Sequence, residues 1–130
     1  MELKRVVITG VGALTPIGNN REEYWSNLAK GINGAGPITR FDPEKFRTKF
    51  ACEIKNFDIL DHLNRKEIRK MDPNTQFGMV VGEEAIKDCG INLETIDKDS
   101  VGVIWGSGIG GLKTFQEEAI AYGLGDGTPR

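Results

Sequence analysis

The sequence has few of the side chains on which many enzymes and metal sites depend. Its 130 residues include one histidine and two cysteines, Cys52 and Cys89. Two isolated cysteines make no disulfide framework, and together with a single histidine they form no recognisable zinc-ligand spacing. The composition therefore predicts a reducing, cytoplasmic setting and no bound metal.

Long apolar runs and a charge of one sign are also missing. No apolar run approaches the length of a membrane span, and the opening letters MELKRVVITG lack the apolar segment and cleavage site of a secretory signal. The formal net charge of −2 gives no electrostatic reason to expect a nucleic-acid or membrane partner. We therefore expect neither partner.

Glycine is what the chain has in excess, with 17 residues and no repeat. Hydrophobic residues make up 38% of the chain and charged residues 28%, which is typical of a packed globular protein. A chain of this length suits one domain or part of a larger one. The glycines therefore indicate sites of tight turns or close packing rather than disorder.

Hydrophobic runs predict short strands that alternate with helices. Residues 5–9 (RVVIT) and 100–105 (SVGVIW) are β-branched apolar runs, typical of strands buried on both faces. A further short strand is predicted near residues 50–54, within an irregular excursion between residues 33 and 61. The order of elements predicts an α/β fold whose strands are parallel.

Capping residues mark three predicted helices. Each helix has an apolar stripe at helical spacing and a glycine at or near its end. The first helix has Asn20 as its N-cap with Glu23 at N3, and it ends at Gly31. The second has Asp72 followed by Pro73 and ends at Gly90, and the third begins near Leu112, without a capping signal, and ends at Gly123. Gly78 and Gly82, four residues apart, predict close packing of the second of these helices against a neighbour.

A short basic segment, residues 64–70 (NRKEIRK), precedes the helix that starts at Pro73. Its cations Lys66, Arg69 and Lys70 lie at positions i, i+3 and i+4, so one helical turn places them on the same side. From composition alone, a solvated helix face is the simplest interpretation of this pattern.

A glycine loop, residues 106–111 (GSGIGG), follows the second predicted strand. It is not a P-loop, because Leu112 stands where the glycine before Lys113 is required, and its spacing excludes a nucleophile elbow at Ser107. The loop does fit the dinucleotide-binding pattern G-x-G-x-x-G between a strand and a helix. That pattern also requires an acid about twenty residues later, at the end of a second strand, whereas Asp126 follows a helix. A dinucleotide site and tight backbone packing therefore both stay open at this point.

Nucleophile candidates are weak. Cys52 and Cys89 lack the helix N-terminus and basic neighbours that lower a thiol pKa, so both are predicted to pack. His62, beside Asp61 in an irregular stretch, is predicted to be a surface residue rather than a base. The residues alone therefore indicate no catalytic constellation.

Three ordered blocks carry a resemblance to a known family. Residues 5–18 (RVVITGVGALTPIG), 65–72 (RKEIRKMD) and 106–111 resemble the N-terminal part of the β-ketoacyl-[acyl-carrier-protein] synthases. The tail GDGTPR, residues 125–130, is similar as well. The elongating synthase II type is the best match, because synthase I typically has glycine where Ile109 stands.

The resemblance implies a thiolase-like layered α/β/α/β/α fold, of which residues 1–130 would be an incomplete N-terminal portion of a longer ketosynthase domain. The family's chemistry uses a cysteine nucleophile and two histidines. The nucleophile lies in a Thr-Ala-Cys-Thr-like stretch that would follow residue 130, and neither Cys52, Cys89 nor His62 matches a catalytic position. The resemblance therefore implies no catalytic residue in this chain, and no cofactor is expected.

Binding roles are implied at four positions. By the resemblance, Lys66, Arg69 and Lys70 belong to the basic patch that docks the acyl and malonyl forms of the acyl carrier protein. Ile109 corresponds to the residue that lines the acyl-chain pocket and controls access to it. A homodimer is implied as well. A non-catalytic relative, such as a chain-length factor, stays open as an alternative because it would share these residues.

Overall fold

Four helices and one small sheet make up the secondary structure of the described part of the chain. The structure is a computed structural model, and it describes residues 3–125. In chain order the elements are α1 (Arg21–Ala29), β1 (Gly36–Pro37), β2 (Phe50–Ala51), α2 (Arg65–Ile68), α3 (Pro73–Cys89) and α4 (Leu112–Leu124). Single 3₁₀ turns lie at Ile59–Asp61 and Lys98–Ser100.

The two longer strands predicted from the sequence do not form among residues 3–125. Residues 5–9 and 100–105 have no strand pairing, and their side chains face solvent, with Val6 90%, Ile8 87% and Ile104 99% exposed. A strand is stabilised by backbone hydrogen bonds to a neighbouring strand, and here neither segment has such a neighbour. The prediction of these strands is therefore wrong for the described residues. The apolar side chains that suggested them are exposed to solvent.

The excursion between α1 and α2 contains the only sheet of the described chain. Strands β1 and β2 pair antiparallel, with Gly36 opposite Ala51 and Pro37 opposite Phe50. The strand predicted near residues 50–54 is confirmed at its first two residues. Its partner is not parallel, because the two strands belong to one excursion that turns back on itself.

Helix α1 begins where its capping residue predicts. The Asn20 Oδ1 atom accepts a hydrogen bond from the Glu23 backbone N–H at 2.8 Å. The Glu23 carboxylate accepts a hydrogen bond from the Asn19 N–H at 2.7 Å. In a regular capping box the donor would be the N–H of Asn20, one residue later. Gly31, with φ of +68°, follows the helix as predicted, since this left-handed conformation favours glycine.

The ends of α3 are also confirmed, whereas α4 is longer than predicted. Pro73 is the first residue of α3, and Gly90 closes it in the left-handed region with φ of +66°. Gly123 does not end α4, which continues to Leu124. A glycine inside a helix costs only about 1 kcal/mol relative to alanine, so it is a weak stop signal. The turn predicted at residues 125–130 falls almost entirely outside the described residues.

Helix α3 is the element against which the N-terminal loop packs. A Cβ atom at Gly10 would lie 2.7 Å from the Cβ atom of Cys89, so only glycine allows this approach. The Glu84 carboxylate of α3 accepts hydrogen bonds from the backbone N–H groups of Ala13 at 2.7 Å and Arg21 at 2.8 Å. One side chain thus holds both the loop and the start of α1.

Little of the described chain is buried. Val80 and Gln76, both on α3, are buried, with 7% and 8% of their surface exposed. The apolar face predicted for α1 is open to solvent, with Trp25 68% exposed. None of the helices within residues 3–125 combines the length and the apolar composition that crossing a bilayer demands.

Candidate functional site

The basic segment forms an exposed turn in front of α3. Lys66 lies within α2, Arg69 is the residue that caps its C-terminus, and Lys70 follows in a further turn, where its N–H donates to the Glu67 carbonyl at 3.0 Å. All three cationic side chains are exposed. The helix is therefore shorter than the predicted turn of residues 64–70, but the backbone stays coiled and keeps the three cations close along the chain.

Local capping stabilises this short helix. The Asn64 Oδ1 atom accepts from the backbone N–H groups of Lys66 at 3.0 Å and Glu67 at 3.1 Å. The Glu67 carboxylate accepts a hydrogen bond from the Asn64 N–H at 3.3 Å, which completes a capping box. Such caps matter here because four residues cannot sustain a helix by intrinsic propensity.

A buried glutamine of α3 holds the other end of the basic segment. The Gln76 side-chain amide donates to the carbonyls of Ile68 at 3.1 Å and Met71 at 2.8 Å. Ile68 is the last residue of α2, and its carbonyl also accepts a 3.3 Å hydrogen bond from the Met71 N–H. The Met71 carbonyl lies in the turn that follows the helix. The sequence analysis missed Gln76, although a polar residue four positions before Val80 on an apolar stripe was a usable signal.

We predict that Gln76→Leu destabilises the protein by about 1–3 kcal/mol, because it keeps the volume but leaves the partly buried Met71 carbonyl without a donor. The Ile68 carbonyl would keep only its 3.3 Å hydrogen bond from the Met71 N–H. Urea unfolding followed by circular dichroism measures this free energy. The matched control is Gln116→Leu, the same change at an exposed position of α4. Equal effects of the two substitutions would contradict the assigned role of Gln76.

The C-terminal end of the glycine loop packs closely against the start of α3. A Cβ atom at Gly110 would lie 2.9 Å from the Asn74 Nδ2 atom, and one at Gly111 would lie 2.8 Å from the Asp72 Oδ2 atom. Gly111 also has φ of +66°, which other residues rarely adopt. Close backbone packing is thus confirmed for these two glycines, whereas Gly106 and Gly108 face open space within the described chain.

The tryptophan before the loop holds its N-terminal end. The Trp105 indole N–H donates to the Asn74 carbonyl at 3.1 Å. Its ring covers Gly78, where a Cβ atom would lie 2.7 Å from the ring atom Cε2. The close packing predicted for Gly78 is confirmed, but a Cβ atom at Gly82 would meet nothing within 4 Å among the described residues outside its own helix backbone. Both ends of the glycine loop are therefore fastened to the first turns of α3.

Ile109 lies between these two fastened ends. Its side chain is 75% exposed, so residues 3–125 do not enclose a pocket around it. The packing of Gly110 fixes the backbone that carries Ile109, while the walls of any acyl pocket have to come from other parts of the protein. Its role in such a pocket stays a prediction.

The geometry disfavours the dinucleotide interpretation of the glycine loop. In a dinucleotide site, a phosphate would lie at the N-terminus of the following helix. Here the Asp72 carboxylate lies against Gly111, the residue that caps α4, and it accepts a hydrogen bond from the Thr114 hydroxyl. A carboxylate at this place repels a phosphate. Asp126, the acid considered in the sequence analysis, lies outside the described residues.

The remaining reactive side chains form no catalytic group. Cys89 is half-buried, with its thiol donating to the Ile86 carbonyl at 3.1 Å, which agrees with the packing prediction. Cys52 is exposed, so the packing prediction is wrong for this residue within the described chain. His62 is exposed, as predicted, and stacks on Phe57 with ring centroids 5.2 Å apart. No group of three metal-ligating side chains occurs in residues 3–125.

A shallow cavity of about 200 Å³ lies beside α3, with His62, Glu83, Glu84 and Lys87 among its lining residues. The hydrogen bond and charge of Lys87, 2.7 Å from the Glu83 carboxylate, hold the pKa of Glu83 below its ordinary value, and His62 adds a smaller effect. Glu84 is engaged by backbone amides, as described above. The charges in this cavity are therefore already paired.

A solved structure shows the class of protein to which this arrangement belongs, the thiolase-like α/β fold. The structure titled "The ishigamide ketosynthase/chain length factor" superposes with a TM-score of 0.69 at 30% sequence identity, over 90% of this chain and 30% of that one.

Comparison with protein families gives the particular family. The model of the family described as "Beta-ketoacyl synthase, N-terminal domain" matches residues 3–126, and the chain belongs to this family. The 3-oxoacyl-[acyl-carrier-protein] synthase 2 of Staphylococcus aureus (strain COL) is 50% identical over 113 residues, which are 87% of this chain and 27% of that protein. The protein of the same name from Synechocystis sp. (strain ATCC 27184 / PCC 6803 / Kazusa) is 44% identical over 118 residues, 91% of this chain and 28% of that protein.

The chain thus spans little more than a quarter of the length of these curated relatives.

Proposed function

We propose that residues 1–130 are the N-terminal portion of a β-ketoacyl-[acyl-carrier-protein] synthase II, a cytoplasmic enzyme that elongates fatty acids. The observation that carries this proposal is the 50% identity to a 3-oxoacyl-[acyl-carrier-protein] synthase 2 over 87% of the chain. The proposal places the rest of the ketosynthase domain after residue 130, in keeping with the greater length of those relatives.

The proposed reaction is a decarboxylative Claisen condensation. A cysteine thiolate of the complete enzyme takes the acyl group from its carrier as a thioester and releases the carrier thiolate, which takes a proton from water. Malonyl on a second carrier loses carbon dioxide, and the resulting carbanion attacks the thioester carbonyl. The new carbon–carbon bond leaves a β-ketoacyl group on the carrier and returns the enzyme thiolate. Residues 1–130 supply neither the nucleophile nor the histidines that assist these steps.

This chain instead contributes binding surfaces. Lys66, Arg69 and Lys70 form the patch that docks the acidic carrier, and their exposure on a capped turn supports rapid electrostatic encounter. Ile109 lines the acyl pocket and controls access to it. The solvent-facing apolar segments at residues 5–9 and 100–105 support the view that further strands and the second subunit of a homodimer cover them in the complete enzyme.

A non-catalytic chain-length factor is the second candidate. The observation that favours it is the structural match to a ketosynthase/chain length factor, although its sequence identity of 30% is lower than the 50% found for the synthase 2. The two candidates share the binding surfaces and differ in the presence of the nucleophile.

Turnover by the complete protein distinguishes these candidates. Purified protein is incubated with acyl and malonyl carrier proteins, and the carriers are analysed by mass spectrometry. A synthase forms β-ketoacyl carrier and releases carbon dioxide, whereas a chain-length factor gives no product without a catalytic partner. Residues 1–130 alone serve as the control and are expected to form no product.

A further inference from the structure

The carboxylate of Asp72 does not do what its position in the chain suggests. Asp72 precedes α3 as its capping residue, yet its side chain makes no capping hydrogen bond there. It turns instead toward α4, where one oxygen accepts a hydrogen bond from the Thr114 hydroxyl and the other lies against Gly111. The side chain therefore links the start of α3 to the start of α4.

The start of α4 has no side-chain cap of its own. Gly111 caps the helix and has no side chain to offer to the first backbone N–H groups. A Cβ atom at this position would lie 2.8 Å from the Asp72 Oδ2 atom, so the glycine makes room for the carboxylate. A negative charge beside the positive end of a helix is favourable.

The link joins the two surfaces to which binding roles are assigned. Asp72 comes two residues after Lys70, the last cation of the basic segment, and Gly111 comes two residues after Ile109. Between them, Gly110 packs on Asn74 of the same α3 turn. The position of the backbone that carries Ile109 therefore depends on contacts with the first turn of α3.

We infer that Asp72 and Thr114 are positioning residues, which hold the glycine loop so that Ile109 meets the acyl chain at a fixed place. This inference rests on the proposed function. The hydrogen bond between Thr114 and Asp72, outside the pocket, then contributes to the enzyme's discrimination between long and short acyl chains. Neither residue is expected to touch the substrate.

The test compares Thr114→Val, which keeps the shape but removes the hydroxyl, with Thr114→Ser, which keeps the hydroxyl. Both are made in the complete protein. The first measurement is the ratio of acylation rates with long and short carrier-free acyl thioesters. The second is hydrogen–deuterium exchange in the peptide that contains residues 106–111, compared with a peptide from the C-terminal half of α3.

Thr114→Val is expected to change the long-to-short ratio at least about threefold and to speed exchange in the glycine loop about tenfold, as loss of a bond to a charged acceptor predicts. Exchange in the α3 peptide should not change, and Thr114→Ser should behave like the wild type. The inference is overturned if Thr114→Val leaves exchange in the loop unchanged, or if exchange rises while the ratio stays the same.

The two proposals fail in distinguishable ways. A wild-type protein that forms neither acyl-enzyme nor product overturns the proposed function, and with it the assignment of acyl-chain discrimination to Thr114. A wild type that condenses normally, with a Thr114→Val variant that matches it in both measurements, overturns only the positioning role.

Discussion

Reversing the three cations of the basic segment is expected to lower carrier-dependent condensation by about 100-fold at low salt, because each reversal replaces an attraction of up to about 1 kcal/mol with a repulsion. The variant is Lys66→Glu/Arg69→Glu/Lys70→Glu in the complete protein. These side chains are exposed, so their replacement leaves no buried group unpaired. The measurement is kcat/KM with acyl carrier protein as substrate.

Two controls separate docking from damage to the fold. Activity with a carrier-free substrate mimic should change little, and the effect on the carrier substrate should shrink as salt screens the charges. The matched variant is Lys45→Glu/Arg47→Glu/Lys49→Glu, which reverses three exposed cations elsewhere on the chain. Equal losses with both substrates, or from both triple variants, would show that the basic segment is not the docking surface.

Ile109→Phe is expected to slow acylation by long chains by about 5- to 150-fold, since added volume in a closed pocket costs about 1–3 kcal/mol when its neighbours cannot move. Short chains should be affected much less. The glycines on either side leave Ile109 as the only large side chain of the loop, and the packing of Gly110 and Gly111 on α3 keeps the backbone from moving aside. The measurement is acyl-enzyme formation as a function of chain length.

Ile109→Ala is the control at the same position. It removes volume and should not block long chains, although it removes the stiff β-branched side chain that limits access. If Ile109→Phe slows every chain length by the same factor, Ile109 does not control access to the pocket.

The sequence predicts the start of α1 and both ends of α3 well, because each depends on near neighbours in the chain. Asn20 bonds to an N–H three residues away, and Pro73 and Gly90 act through their own backbone conformations. The predicted strands are a different case. Residues 5–9 have the composition of a strand, but a strand requires a partner, and no local pattern shows whether that partner is present.

The candidate site was predicted only in part for the same physical reason. The cations of the basic segment and the glycines of the loop are visible in the sequence, since both depend on residue type and spacing. The contact between Asp72 and Thr114 joins residues 42 positions apart, and spacing cannot show it. The place of Gln76 on the apolar stripe of α3 indicates a buried side chain, but its two acceptors, the carbonyls of Ile68 and Met71, belong to the backbone, so no residue type marks them.

We propose that residues 1–130 bind and position substrates for a condensing enzyme whose nucleophile lies elsewhere in the protein. The most direct measurement is to incubate the complete protein with acyl carrier protein and locate the acyl thioester by mass spectrometry of peptides. The account predicts acylation of a cysteine outside residues 1–130, with Cys52 and Cys89 unmodified. An acyl group on Cys52 or Cys89, formed at a rate that supports turnover, would contradict it.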